Sequence, residues 1–89
     1  MEYFELGSWH ITTGAREALS SDEEMLKLLG WHARGDWGTV SDEDKRSNDE
    51  ALMAGGRLLS AYTSSTGVKI WVITEADRSA TTLLLPEEY

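Results

Sequence analysis

Leu58-Leu59-Ser60-Ala61-Tyr62-Thr63, Ser64-Ser65-Thr66-Gly67 and Val68-Lys69-Ile70-Trp71-Val72-Ile73-Thr74 read as strand, turn and strand, and this stretch decides the fold class. β-Branched and aromatic residues crowd the second run and end the first at Tyr62-Thr63, and a small polar turn ending in glycine separates them, which is the pattern of a hairpin. Ala76-Asp77-Arg78-Ser79 is a second turn. Thr81-Thr82-Leu83-Leu84-Leu85 then makes a third strand, stopped at Pro86, which has no N–H to give a ladder. Connections this short join antiparallel neighbours, so the C-terminal half is expected to be a three-stranded meander.

Upstream the periodicity changes to that of helices. Ser21-Asp22-Glu23-Glu24 is a capping box, and Met25, Leu28, Leu29 and His32 follow at spacings of three and four, a stripe that faces a core with Lys27 outside it. Ser41-Asp42-Glu43-Asp44 opens a further helix that Gly55-Gly56 ends. Thr13 reads as the N-cap of a shorter helix through Arg16, Glu17 and Leu19, and residues 3–12 read as an extended segment weakened by Gly7. Helices first and strands last, with no room for crossovers, imply an α+β fold. About three short helices and an N-terminal extended segment should pack on an antiparallel meander of three strands, or of four if that segment joins. The 89 residues have room for one hydrophobic core, so residues 1–89 are expected to form a single small domain.

Sixteen acidic residues against eight basic ones leave a formal net charge of −8, which opposes long-range attraction to nucleic acid and favours a protein partner. Much of that acidity has a local cause, since Asp22-Glu23-Glu24 and Asp42-Glu43-Asp44 sit at helix starts where the macrodipole favours negative charge. With no cysteine there is neither a disulfide framework nor a thiolate metal site, which suits a reducing, cytoplasmic setting. No apolar run is long enough to span a bilayer, and Met1-Glu2-Tyr3-Phe4-Glu5 has no secretory character, so no membrane association is expected.

The polar groups that could carry chemistry gather at Trp31-His32-Ala33-Arg34-Gly35-Asp36-Trp37-Gly38, between two capped helices. His32 could act as a general acid or base, with Asp36 orienting it and Arg34 or Arg78 holding an anion. The plainer reading makes His32 a helix C-cap that bonds the last carbonyls, and Gly35-Asp36-Trp37-Gly38 a turn with Trp37 as a core plug. Asp44 and Asn48 share a helical face with Ala51 and Leu52, which suits a specific hydrogen-bonding role or simple hydration. Asp77 and Arg78 suggest a local ion pair. Arg78 could instead join Arg57, Thr74 and His32 as an anion-binding group if the sheet and the loop converge. His10 and His32 are the only histidines, and the chain carries no phosphate loop, dinucleotide fingerprint, nucleophile elbow or calcium-loop pattern. No metal and no cofactor is expected.

His32-Ala33-Arg34-Gly35-Asp36-Trp37-Gly38, followed by Asp44 and Asn48, by Gly56-Arg57-Leu58-Leu59-Ser60-Ala61-Tyr62, by Trp71-Val72-Ile73-Thr74-Glu75-Ala76-Asp77-Arg78-Ser79 and by Leu84-Leu85-Pro86-Glu87-Glu88-Tyr89, resembles a family of small bacterial and mobile-element proteins labelled plasmid-related. The resemblance runs over nearly the whole chain and implies no particular activity. A looser similarity, in layout alone, is to small RNases of the barnase and RelE-like kind, and layout does not confer function. The expectation is a non-catalytic acidic interaction module, an accessory or anti-defence factor of a plasmid or phage. It would bind a protein through its acidic helices and through Arg34, Trp37, Asp44, Asn48 and Asp77. The alternatives are a small phosphodiester-processing enzyme using His32, Asp36 and Arg78, and a homo-oligomer joined through exposed tryptophans.

Overall fold

In a computed structural model, which describes residues 3–89, the chain runs through β1 (Ser8–Ile11), α1 (Thr13–Ala18), α2 (Asp22–Ala33), α3 (Asp42–Ala54), β2 (Leu58–Thr63), β3 (Lys69–Thr74), β4 (Ala80–Leu84) and a closing 3-10 turn (Pro86–Glu88). The fold is α+β, as the change of periodicity implies. The three C-terminal strands form the meander, with Ser60 opposite Val72 and Val72 opposite Leu83. The sheet has a fourth strand, in the order β1-β4-β3-β2. β1 lies parallel to β4, with Ser8 beside Ala80 and Ile11 beside Leu83, so the sheet is mixed rather than a purely antiparallel meander. The cause is the path between them: three helices and two strands separate β1 from β4, so no tight turn dictates its direction.

Helix starts follow local chemistry. Ser21 and Ser41 accept hydrogen bonds at Oγ from the N–H groups of Glu24 and Asp44, as the capping signals require. The cap of α1 is Thr12 rather than Thr13, its Oγ1 accepting from Ala15 N–H at 3.2 Å. Glu24 departs from the capping-box pattern: its carboxylate takes the N–H of Ser20 at 2.8 Å and, across the molecule, the N–H of Ser65 at 2.6 Å. That second bond ties the β2–β3 turn to the start of α2. The two backbone donors hold the Glu24 carboxyl below its ordinary range.

The core lies between the sheet and the helices. Leu28 and Leu29 of α2 and Ala15 of α1 meet Tyr62, Ile70, Val72 and Leu83 of the sheet. Alternation along the strands puts Leu58 and Ser60, Val72 and Thr74, and Thr81 and Leu83 on this inner face, and all are fully buried. Three of these six, Leu58, Val72 and Leu83, are apolar. The exceptions, Ser60, Thr74 and Thr81, with the fully buried His32, make a polar island inside an apolar core.

α3 sits apart from that core, beside β2, and Asn48 is its only buried residue. The carboxamide of Asn48 donates to Leu59 O at 2.7 Å and accepts from Leu59 N–H at 3.0 Å, filling both main-chain positions that β2 turns outward there. Two residues on, Ala61 N–H donates to Trp37 O and Ala61 O accepts from Thr39 N–H. The outer edge of β2 is thereby closed against further pairing.

Candidate functional site

His32 ends up in the centre of the molecule because it continues the buried stripe of α2, one turn beyond Leu28 and Leu29. It does not cap the carbonyls of its own helix. Its Nδ1 lies 2.5 Å from Ser60 Oγ and its Nε2 2.9 Å from Thr74 Oγ1, while Thr74 Oγ1 lies 2.7 Å from Thr81 Oγ1. Thr81 donates its hydroxyl to Leu6 O at 2.7 Å. Because that hydroxyl has one proton, Thr81 must accept from Thr74, Thr74 must accept from His32 Nε2–H, and Nδ1 must accept from Ser60. The chain of donors runs in one direction, Ser60 to His32 to Thr74 to Thr81 to the N-terminal segment, and assigns the Nε2–H tautomer.

Electrostatics agree with a neutral ring. Burial, helped by the Arg78 charge, pushes the His32 imidazole down to about 3 from an ordinary 6.5. No carboxylate bonds either nitrogen. The ring is further enclosed by Phe4, edge-on at 5.2 Å, and by Trp37 at 5.7 Å. Phe4 and Trp37 stack at 6.2 Å, so the N-terminal segment and the loop after α2 close over the imidazole together. Both nitrogens are satisfied and the residue is 0% exposed. A general base needs to reach a proton on a substrate, and His32 as placed has no path to one.

The other candidates are dispersed. Arg78 adopts φ 62°, in the left-handed region, which turns its side chain under the end of α3. There its Nη1 donates to Gly56 O at 2.5 Å, Ala76 O at 3.1 Å and Glu75 O at 3.2 Å, and its Nη2 to Ala51 O at 3.0 Å. A guanidinium at a helix C-terminus also meets the negative end of the dipole. Arg78 therefore forms no ion pair with Asp77, whose carboxylate instead accepts from Ser79 N–H at 3.0 Å and is held below its usual range by Ser79. Arg57 lies over the Tyr89 ring at 5.0 Å, away from this arrangement. His32 and Thr74 do converge, but the anion site imagined around them does not form, because its arginines are otherwise engaged.

The segment from His32 to Gly38 is an internal fastening. Trp37 is buried as a core plug, its Nε1–H donating to Asp49 Oδ1 at 3.3 Å. Asp36 is exposed, and it contributes its main-chain carbonyl as acceptor for Tyr62 Oη–H at 2.5 Å. Burial pushes the Tyr62 phenol up, which keeps it a donor. Gly38 has φ 74° and lies against Ala61 O and the Tyr62 ring, where a Cβ would collide. Arg34 is the exposed C-cap of α2. Asp44 is exposed one turn before Asn48, and the two share no interaction. His32, Asp36, Asp44, Asn48 and Arg78 do not meet in one concave site.

Two features carry no plain mark in the sequence. One is the chain of hydroxyls, since Ser60, Thr74 and Thr81 lie on three different strands and only sheet register aligns them. The other is the open edge of β1. Trp9 is 52% exposed there, beside Leu26 of α2 at 48%. Alternation of polar and apolar residues on Ser8-Trp9-His10-Ile11 is the signal that could have marked it. Among the described residues, no group of three or more histidines, cysteines or carboxylates is placed to hold a metal ion, and no helix is long and apolar enough to cross a membrane. No protein-family model matches the chain, and comparison with curated proteins and with solved structures also finds no match.

Proposed function

We propose that the protein is a non-catalytic interaction module that presents the acidic outer surface of α3 to a basic protein partner. The observation that carries this reading is the placement of α3. The helix is fastened by Asn48 alone among its buried residues, and every residue from Asp42 to Ser47 is exposed. Asp42, Glu43, Asp44 and Glu50 thus project into solvent with Lys45 and Arg46 as the only bases of the helix. The contacts that hold α3, from Asn48 to Leu59, from Trp37 to Asp49 and from Arg78 to Ala51 O, leave the carboxylates of Asp42, Glu43, Asp44 and Glu50 unused, so its outward charge is free for recognition. The polar groups that suggested catalysis support the same reading, because His32 and Arg78 are engaged in holding the fold together.

A partner recognised this way is protein rather than nucleic acid, given a net charge of −8. A role as a cytoplasmic accessory or anti-defence factor of a plasmid or phage rests on the resemblance of the sequence motifs. The test uses the intact chain as bait in host lysate, with a Glu43→Lys, Asp44→Lys, Glu50→Lys variant beside it. A partner retained by the parent chain, lost by the folded variant and weakened by salt supports the module. A partner held equally by both, or none in repeated captures, sinks it.

A further inference from the structure

The two edges of the sheet are treated differently. β2 is sealed by Asn48 and by residues 37–39, whereas β1 is the terminal strand on the other side. Ser8 N–H donates to Ser79 O and Thr12 N–H to Leu83 O, so in a parallel ladder Ser8 and His10 turn their main chain toward β4, and Trp9 and Ile11 turn theirs outward. Among the described residues nothing pairs with that outward side. Natural sheets rarely leave such an edge beside exposed apolar side chains unless something covers it.

The apolar surface has two levels. At the level of the sheet are Trp9 and Ile11. At the level of the helices, along the same edge, α2 presents Leu26, Met25 and Gly30, forming a trough with Leu6 and Trp9. A lone extended peptide would satisfy the strand but leave Leu26 in water. An occupant that covers both levels must itself carry a strand edge flanked by an apolar helix at the same relative position, and this chain has that geometry by construction.

Charge points the same way. α2 runs opposite to β1: its N-terminal end, Asp22 and Met25, lies by Ile11 and Arg16, and its C-terminal end, Ala33 and Arg34, lies by Leu6. A two-fold axis through His10 sets the two α2 helices antiparallel, which brings Arg34 of each copy to the end of the other where Glu23 carries the uncompensated charge, Asp22 lying 3.9 Å from Arg16 of its own chain. The acidic α3 is no obstacle. It lies beside β2, three strand spacings of about 4.8 Å from β1, or about 14 Å, which exceeds the screening length of about 8 Å at physiological salt.

We infer that β1 pairs antiparallel with β1 of a second copy of this chain, Trp9 opposite Ile11 of the second copy, to give a continuous eight-stranded sheet crossed by two antiparallel α2 helices. This is a second surface, on the opposite edge from α3, so the dimer carries its two acidic helices at its far ends. The inference goes beyond the proposed recognition by α3, and either can fail alone.

The test is sedimentation of the full chain from micromolar to millimolar concentration, with amide exchange at the highest. Expected are a concentration-dependent rise from the mass of one 9.9 kDa chain to two, and slowed exchange at Trp9 and Ile11 that disappears on dilution. Leu26→Glu, on a half-exposed site, should weaken the dimer by about tenfold or more, the loss typical of an apolar interface anchor. Arg34→Glu and Glu23→Arg should each weaken it, and the two together should restore it. A chain that stays single throughout overturns the inference. So does a dimer in which Trp9 and Ile11 exchange freely and the charge swap has no effect.

Discussion

His32 Nδ1 and Ser60 Oγ lie 2.5 Å apart at the centre of the protein, joining the last turn of α2 to β2, both side chains wholly buried. An imidazole beside a serine suggests nucleophile and base, but here the pair has no access to solvent, and the other ring nitrogen is bonded to Thr74. The relationship is one of folding, and it makes stability depend on pH.

In the folded chain His32 titrates at about 3, and in the unfolded chain near 6.5, so between those values the unfolded state binds one more proton. The stability contributed by the neutral ring is complete above pH 6.5 and is lost as pH falls toward 3, with a slope of at most about 1.4 kcal/mol per pH unit. Glu24, whose folded value is depressed below 4.5, contributes stability that is lost only at lower pH. Urea unfolding at pH 7, 6 and 5 should therefore show a fall that His32→Gln, weaker at pH 7, largely lacks. An equal slope in both proteins contradicts this assignment.

Asn48→Ala leaves the N–H and carbonyl of Leu59 without partners at a covered edge, and should cost about 1–3 kcal/mol. Asn48→Asp keeps the acceptor for Leu59 N–H but turns an oxygen toward Leu59 O, so it should be no better than alanine. Denaturant midpoints of the two variants decide this, and a neutral Asn48→Asp would show that the paired bonds do not matter.

Arg78→Lys keeps the positive charge and the left-handed backbone but loses the fork that spans Ala51 O and Gly56 O. It should destabilise by about 1–2 kcal/mol, the worth of charge-assisted bonds lost, and should speed amide exchange in the last turn of α3. Full rescue by lysine would reduce the role of Arg78 to its charge.

Gly38 and Gly67 both have positive φ, at 74° and 85°, yet only Gly38 is hemmed in, by Ala61 O and the Tyr62 ring. Gly67→Ala should cost about 1 kcal/mol, the backbone penalty alone. Gly38→Ala must in addition break the bridge to Ala61, and its thermal midpoint should fall well below that of Gly67→Ala. Equal midpoints would mean that the 37–39 bridge contributes nothing.

The strands, the three helices and the polar caps of α2 and α3 were legible along the chain because each depends on neighbours a few residues away: the Val68–Thr74 alternation, the Ser21 and Ser41 caps, the stripe of Met25, Leu28, Leu29 and His32. The cap of α1 lies at Thr12, one residue before the Thr13 that the sequence suggests. That stripe even placed His32 on the buried side, and Trp37 was readable as a plug. What the imidazole bonds was not readable, since Ser60 and Thr74 reach it from 28 and 42 residues away through the pairing register of β2 with β3. The parallel entry of β1, the turn of Arg78 under α3 and the pairing of Asn48 with Leu59 are likewise long-range. Local pattern determines which segments are helix and strand, and which face of each is apolar. Only the packed chain decides which polar groups meet, because a buried hydroxyl, imidazole or guanidinium must find its partner wherever the topology delivers one.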